Sequence, residues 1–253
     1  KGAGFFIGAV LLSWLEFQGA IAVMVAMLSV VWLMSLLLLR QELGVMKAKP
    51  KFSQIFSKSE AVNRLSLARF FLFGARDVWF VVALPVFLHE VLGWDFWQVG
   101  GYLAAWVMIY GMIQAAAPKL TGRSQAPDVV GRQLVVFGGC LALTPAAIGV
   151  ALSYGLSPVF VVTVGLLIFA LLFAMNSALH SFLIVRFARD EGASLDIGFY
   201  YMANAGGRLA GTVGSGALYQ WMGLEACLWV SAGLIAMASL AAMSLPKGEV
   251  GTA

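Results

Sequence analysis

Residues 1–20, KGAGFFIGAVLLSWLEFQGA, lie without a gap over residues 208–227, RLAGTVGSGALYQWMGLEAC, when the chain is shifted by 207 positions. Lys1 meets Arg208, Ala3 meets Ala210, Gly4 meets Gly211, Leu11 meets Leu218 and Trp14 meets Trp221. Further on, Arg40 meets Lys247 and Glu42 meets Glu249. Self-similarity at a long period sets the architecture before any single motif does. A repeat in one orientation makes the first helix pair of the chain the counterpart of the last.

Both copies are strongly apolar, and so is the rest. Of 253 residues, 61% are hydrophobic and 11% charged, against roughly 45–50% and 25% in a soluble domain. The apolar runs cover 1–15, 20–39, 65–92, 96–117, 133–153, 158–186, 196–221 and 224–245. Such lengths suit helices that satisfy their own backbone hydrogen bonds in lipid, and the short alternating runs of a barrel are not seen. The fold class is therefore an all-α polytopic membrane protein with eight transmembrane helices. The first run is short before Glu16 and reads as a truncated helix, so the chain is expected to begin inside one.

Basic residues set the orientation, because Lys and Arg are retained in short cytoplasmic loops. Arg40, Lys47, Lys49, Lys51, Lys58 and Arg64 fill one loop, Lys119, Arg123 and Arg132 the next, Arg186 and Arg189 a third, and Lys247 the tail. The alternate loops around LEFQG, HEVLGWDFWQ, SYGLSP and WMGLE contain no Lys or Arg. Topology thus accounts for the net charge of +4; nucleic-acid binding is not implied, and contact with anionic membrane lipid is the expected partner of the Lys-rich loop. Trp14, Trp94, Trp97 and Trp221 fall at outer helix ends, where an aromatic belt is expected. Cys140 and Cys227 lie apart within apolar runs and read as packing residues, with neither a disulfide nor a metal site implied.

Four basic residues remain inside apolar runs: Lys1, Arg69, Arg76 and Arg208. Asp77 is the acidic residue at comparable depth, while Asp196 sits near the cytoplasmic start of its helix. Charges inside a membrane normally face a protein interior or a wet cavity. Their cationic excess points to a small anionic substrate, and arginine suits bidentate contact with phosphate, arsenate or carboxylate. In FLFGARDVWFVVALP (71–85), Arg76 lies about 12 residues, roughly 18 Å, into its helix, close to the midplane. Arg69 is two turns back on nearly the same face, as a track from the cytoplasm. Asp77 is about 100° round from Arg76, so the two are expected to face apart, with Arg208 as the partner of Asp77 and a role in charge balance or coupling. The alternative is a buried network of Arg76, Asp77 and Arg208 that fixes helix packing.

Two more helices present polar faces. Tyr201, Asn204, Arg208, Thr212 and Ser215 recur at helical spacing, and Tyr201 and Asn204 join the arginines as substrate contacts. Gly207 to Gly211, like Gly4 to Gly8, is a small-xxx-small spacing for close helix approach. Asn176 and His180 are one turn apart beside Ser177 and Ser181; His180 is a substrate contact, a proton relay or a hydrogen-bonded core histidine. Pro85 and Pro145 are expected as mid-helix kinks. No Ser/His/Asp order, HExxH or deep carboxylate pair is present, so an enzyme, a metal site and a cofactor are not expected.

A parallel repeat of two six-helix halves is the layout of major facilitator transporters, with the substrate site near mid-membrane between halves. On that layout 1–39 holds the last two helices of the N-terminal half, 40–64 a cytoplasmic basic linker, 65–245 a six-helix C-terminal half and 246–253 a cytoplasmic tail. Eight of an expected twelve helices would then be present. The stretches FLFGARDVWFVVALPVFL, GWDFWQVGGYLA, MNSALHSFLIV and LDIGFYYMANAGGRLAGTV resemble the organoarsenical efflux permease ArsJ family of the major facilitator superfamily, from about Gly4 to Leu245. The resemblance implies export of 1-arseno-3-phosphoglycerate across a bacterial inner membrane. That ester forms when a partner glyceraldehyde-3-phosphate dehydrogenase uses arsenate in place of phosphate.

Overall fold

A computed structural model describes residues 2–38, 59–120, 126–189 and 192–246. Lys1, nearly all of the expected linker and the tail from residue 247 lie outside the described residues. The order is α1 (Gly2–Leu38), α2 (Glu60–Phe80), α3 (Ala83–Glu90), α4 (Phe96–Leu120), α5 (Pro127–Ser153), α6 (Pro158–Phe187) and α7 (Ala193–Met243). No strand occurs among the described residues. Among the described residues six stretches are long and apolar enough to cross a membrane.

The eight apolar runs map onto these seven helices with three differences, two joins and one division. Runs one and two are joined as α1 and runs seven and eight as α7, each through one residue of non-helical backbone. These are Glu16 (φ 58°, ψ −177°) and Gly223 (φ 74°, ψ −171°). The two breaks are 207 positions apart, the same register that aligns the two sequence copies. Trp14 and Trp221, two residues before each break, are both exposed. A straight helix of 51 residues would measure roughly 77 Å, far beyond an apolar core of about 30 Å. Cys227 Sγ instead donates to the Ser215 carbonyl at 3.8 Å, a contact between residues that a straight helix would hold roughly 18 Å apart. The chain therefore doubles back at Gly223.

The third run divides into α2 and α3 at Val81–Val82. Pro85 has no N–H to give to Val81, and its ring conflicts with that carbonyl. Pro85 is thus the third residue of a new helix, a position that needs no intrahelical donor, rather than a mid-helix kink. The Ala83 N–H, freed by the break, donates to Ser215 Oγ of α7 at 3.1 Å. Pro145 does sit inside continuous helix.

Close packing is built on glycine between α2 and the first arm of α7. A Cβ on Gly207 would stand 2.1 Å from the Phe70 carbonyl oxygen, and one on Gly211 would stand 2.5 Å from that of Gly74. No side chain fits there, so the Gly207–Gly211 spacing does serve close approach. Gly4 and Gly8 make no such contact among the described residues, where a Cβ at either would meet nothing within 4 Å. The second arm of α7 packs on α5, with Ser239 against Gly138 and Trp229 against Gly149. Cys227 is buried as expected, while Cys140 faces outward; both are free thiols.

Two apolar cores result. One gathers Trp79, Trp106, Phe169 and Phe173, with Trp79 edge-on to Phe169 at 5.1 Å. The other gathers Leu65, Leu134, Leu183 and Tyr200. The polar residues described next occupy α2, α6 and α7 where these cores meet.

Candidate functional site

Arg69, Phe73 and Arg76 recur at spacings of four and three residues along α2, so they share one face. That face turns toward α6 and the first arm of α7. The Phe73 ring lies between two cations: Arg69 Cζ is 4.0 Å and Arg76 Cζ 4.8 Å from its centroid. Phe173 of α6 supports Arg76 at 5.5 Å and meets Phe73 edge-on at 5.2 Å. Guanidinium over a desolvated ring contributes up to about 2 kcal/mol.

Arg69 is 6% exposed, which corrects its expected place on an open cytoplasmic track: the α2–α7 glycine contact draws it inside. Its Nε donates to Asn204 Oδ1 at 3.2 Å, and Nη1 donates to Ser177 Oγ at 3.1 Å and to the Ser177 carbonyl at 3.4 Å. Tyr200 flanks it with a centroid distance of 5.1 Å. Among the described residues no carboxylate lies within ion-pair distance of Arg69. Gln114 of α4 reaches the same Ser177 hydroxyl at 3.3 Å.

About two turns further on from Arg69, Asp77 is fully buried. Arg208 Nε donates to its Oδ2 at 2.9 Å, the cross-helix contact expected from the sequence. Arg76 Nε also donates, to Oδ1 at 2.6 Å, which corrects the expectation that the adjacent residues face apart. The 100° between their Cα positions is spanned by the length of the arginine side chain. Arg76 is nearly buried and Arg208 is 46% exposed at its side chain. Two guanidiniums thus share one carboxylate, while a third, Arg69, stands in the adjoining cluster with neutral partners.

The other expected contacts divide. Asn204 joins the cluster through Arg69. Tyr201 is more than half exposed, its ring edge-on to Tyr200. The Asn176 side chain turns away and donates to the Leu134 carbonyl of α5 at 3.0 Å, tying two helices together. His180 is buried, and its Nδ1 has no hydrogen-bond partner among the described residues. Phe73 is the residue that the sequence does not single out, and Ser177, named only as a neighbour of Asn176, is the one that receives Arg69. The i, i+4, i+7 spacing of 69, 73 and 76 would have flagged Phe73, whereas an apolar residue in an apolar run drew no notice.

A cavity of about 680 Å³ opens between α1, α3, α4 and α7. Its walls include Gly4, Gly8, Val86, Val99 and Leu103, and Arg208 closes one side. At the α6–α7 joint, Arg189 clasps buried Asp196 through Nε and Nη2, both at 3.0 Å. The hydrogen bond to Asp196 holds the Arg189 guanidinium above its ordinary range.

The family model of the Major Facilitator Superfamily matches residues 2–212. The chain belongs to the Major Facilitator Superfamily. The match runs through α1 and on into the first arm of α7, so it includes Arg69, Arg76, Asp77, Asn204 and Arg208. No curated protein matches the chain. As a major facilitator protein it is a multi-pass membrane transporter built as an all-α bundle, in which the chain reverses at Gly223 between the two arms of α7.

Proposed function

We propose that this major facilitator protein is a secondary active exporter, an antiporter by type, that moves an anionic organoarsenical by alternating access and confers arsenate resistance. The observation that carries the reading is the charge count at the helix contact: three guanidiniums with one carboxylate among them. Buried charges are normally balanced, so the surplus suits an arriving anion. Arg76 and Arg208 bind its anionic groups, Arg69 with Asn204 adds a buried third contact, and Asp77 holds two of the arginines poised or takes the coupling proton. The resemblance in sequence selects 1-arseno-3-phosphoglycerate, with a glyceraldehyde-3-phosphate dehydrogenase as the functional partner that makes it. It also places the protein in the bacterial inner membrane with a cytoplasmic C-terminus, and the basic loops agree with that orientation.

A second reading, export of another organic anion or drug, is favoured by the apolar cavity that reaches Arg208. A non-transporting partner-binding protein would have its arginines capped by internal carboxylates; Asp77 caps Arg76 and Arg208 in that way, whereas Arg69 has no carboxylate within reach among the described residues.

Everted vesicles carrying the full-length protein test the proposal. Uptake of the organoarsenical is expected to fall at least tenfold in Arg76→Ala and Arg208→Ala, and unchanged uptake in both sinks the assignment.

A further inference from the structure

Arg69 is a buried cation whose charge no carboxylate among the described residues cancels, and the helices around it leave further polar atoms unused. The Ser66 hydroxyl of α2, His180 Nδ1 of α6 and the Tyr200 hydroxyl of α7 are all buried and make no hydrogen bond among the described residues. Their places along the helices agree. The first arm of α7 runs parallel to α2, with Gly207 against Phe70 and Gly211 against Gly74, and α6 runs antiparallel to it, with Ser177 on Arg69, Phe173 on Phe73 and Phe169 on Trp79. Ser66 is three residues before Arg69, Tyr200 four before Asn204 and His180 three after Ser177. All three therefore lie one turn from the contacts of Arg69, and in the same direction. Tyr200 flanks the guanidinium with its ring centroid at 5.1 Å, and His180 is near enough to feel its charge. Ser181, beside the Tyr200 hydroxyl, already gives its proton to the Ser177 carbonyl at 2.9 Å. Arg69 Nη2 likewise makes no hydrogen bond among the described residues.

Buried polar atoms without protein partners are normally satisfied by an occupant between them, most often water. Water would answer the hydroxyls and the imidazole but leave the guanidinium unbalanced, and an unpaired charge is costly to bury. We propose that Ser66, Arg69, His180 and Tyr200 form a binding site for one monovalent inorganic anion, chloride, as the resident counter-ion of Arg69. The two hydroxyls and the imidazole N–H donate to it, and Arg69 Nη2 adds a charge-assisted bond. Leu65, Leu179 and Leu183 belong to the core around Tyr200 and are no more than 4% exposed. They close the layer, so the occupant is monatomic, and one guanidinium balances one negative charge. None of the four site residues lines the cavity beside Arg208. The inference rests on the charge of Arg69, which the proposed function also uses, and not on what the protein carries: chloride sits on the Ser66 side of the guanidinium and steadies it.

The test is thermal unfolding of the full-length protein in detergent, in sodium gluconate titrated with sodium chloride, bromide or sulfate at constant ionic strength. An anion that binds only the folded state raises Tm in step with its occupancy. Chloride and bromide are expected to raise it and sulfate is not. Arg69→Gln is expected to abolish the rise. Tyr200→Phe and Ser66→Ala, each short of one hydrogen bond to a charged group, are expected to increase the chloride concentration needed by about tenfold. Anomalous scattering from crystals grown in bromide reads the position, expected between Arg69 and Tyr200. The site is overturned by a Tm that does not distinguish halide from sulfate, by a chloride response unchanged in Arg69→Gln and Tyr200→Phe, or by density there without anomalous signal, an ordered water only. Because no transport is measured, failure of the organoarsenical uptake experiment and failure of this one are separate results.

Discussion

Arg69 and Arg76 lie seven residues apart on one helix, touch the same phenylalanine, and are stabilised in opposite ways. Around Arg76 a carboxylate does the work: Asp77 accepts from Arg76 and Arg208 together. Around Arg69 the partners are neutral, an asparagine, a serine and aromatic faces. Neutral acceptors satisfy the donors of a guanidinium without cancelling its charge. The first cluster ties α2 to α7 through a shared carboxylate, and the second keeps a positive charge that no carboxylate among the described residues offsets.

Removing Asp77 breaks the comparison most directly. Asp77→Ala leaves two guanidiniums without their carboxylate, and taking one member from a buried ion pair costs about 3–5 kcal/mol. The full-length protein is expected to lose most of its thermal stability in detergent, read as a drop in Tm, and to lose uptake with it. Arg69→Gln is expected to reduce uptake at least tenfold while lowering Tm far less, because the substitution leaves no charge unpaired. A Tm loss as large as that of Asp77→Ala would show that Arg69 is structural too. Phe73→Leu removes the ring shared by both arginines. At about 0.7 kcal/mol for each cation–ring contact, a fall in substrate affinity of about tenfold is expected, measured as a rise in the half-saturating concentration. The smallest effect belongs to Arg132, whose bond to Asp128 at 3.0 Å lies on the surface. Arg132→Ala is expected to change stability by no more than about 0.5 kcal/mol, so a larger change in Tm would overturn the view that only enclosed charges count in this molecule.

Much of this was readable from periodicity. The register of 207 residues paired the first and last helix pairs, and both backbone breaks fall in that register; the glycines of α7 announced a close helix contact, without saying that α2 makes it. Arg208 as the partner of Asp77 followed from depth and sign alone. What escaped depended on side-chain reach and on which neighbour a face meets. Helical angles describe Cα positions, and a guanidinium at the end of a long stem can return to the adjacent residue, as Arg76 does. Asn176 has the polarity of a ligand contact, yet the nearest unmet acceptor was a carbonyl on α5. Gly4 and Gly8 carry the same spacing as Gly207 and Gly211, and nothing in the spacing says whether a backbone stands opposite. Phe73 could not be told from its many apolar neighbours because its role is set by the two charges that flank it in space.

The break at Gly223 has a mechanical side. A reversal made within one residue gives the two arms of α7 no slack, so a tilt of the first arm, which carries Arg208, is handed on to the second arm and to α5 as a stiff lever would hand it on. Glycine at φ 74° bears that geometry with little strain, as the pivot of a joint must. Glu16 holds nearly the same angles with a side chain attached, which makes the matching joint of α1 the tenser spring of the pair.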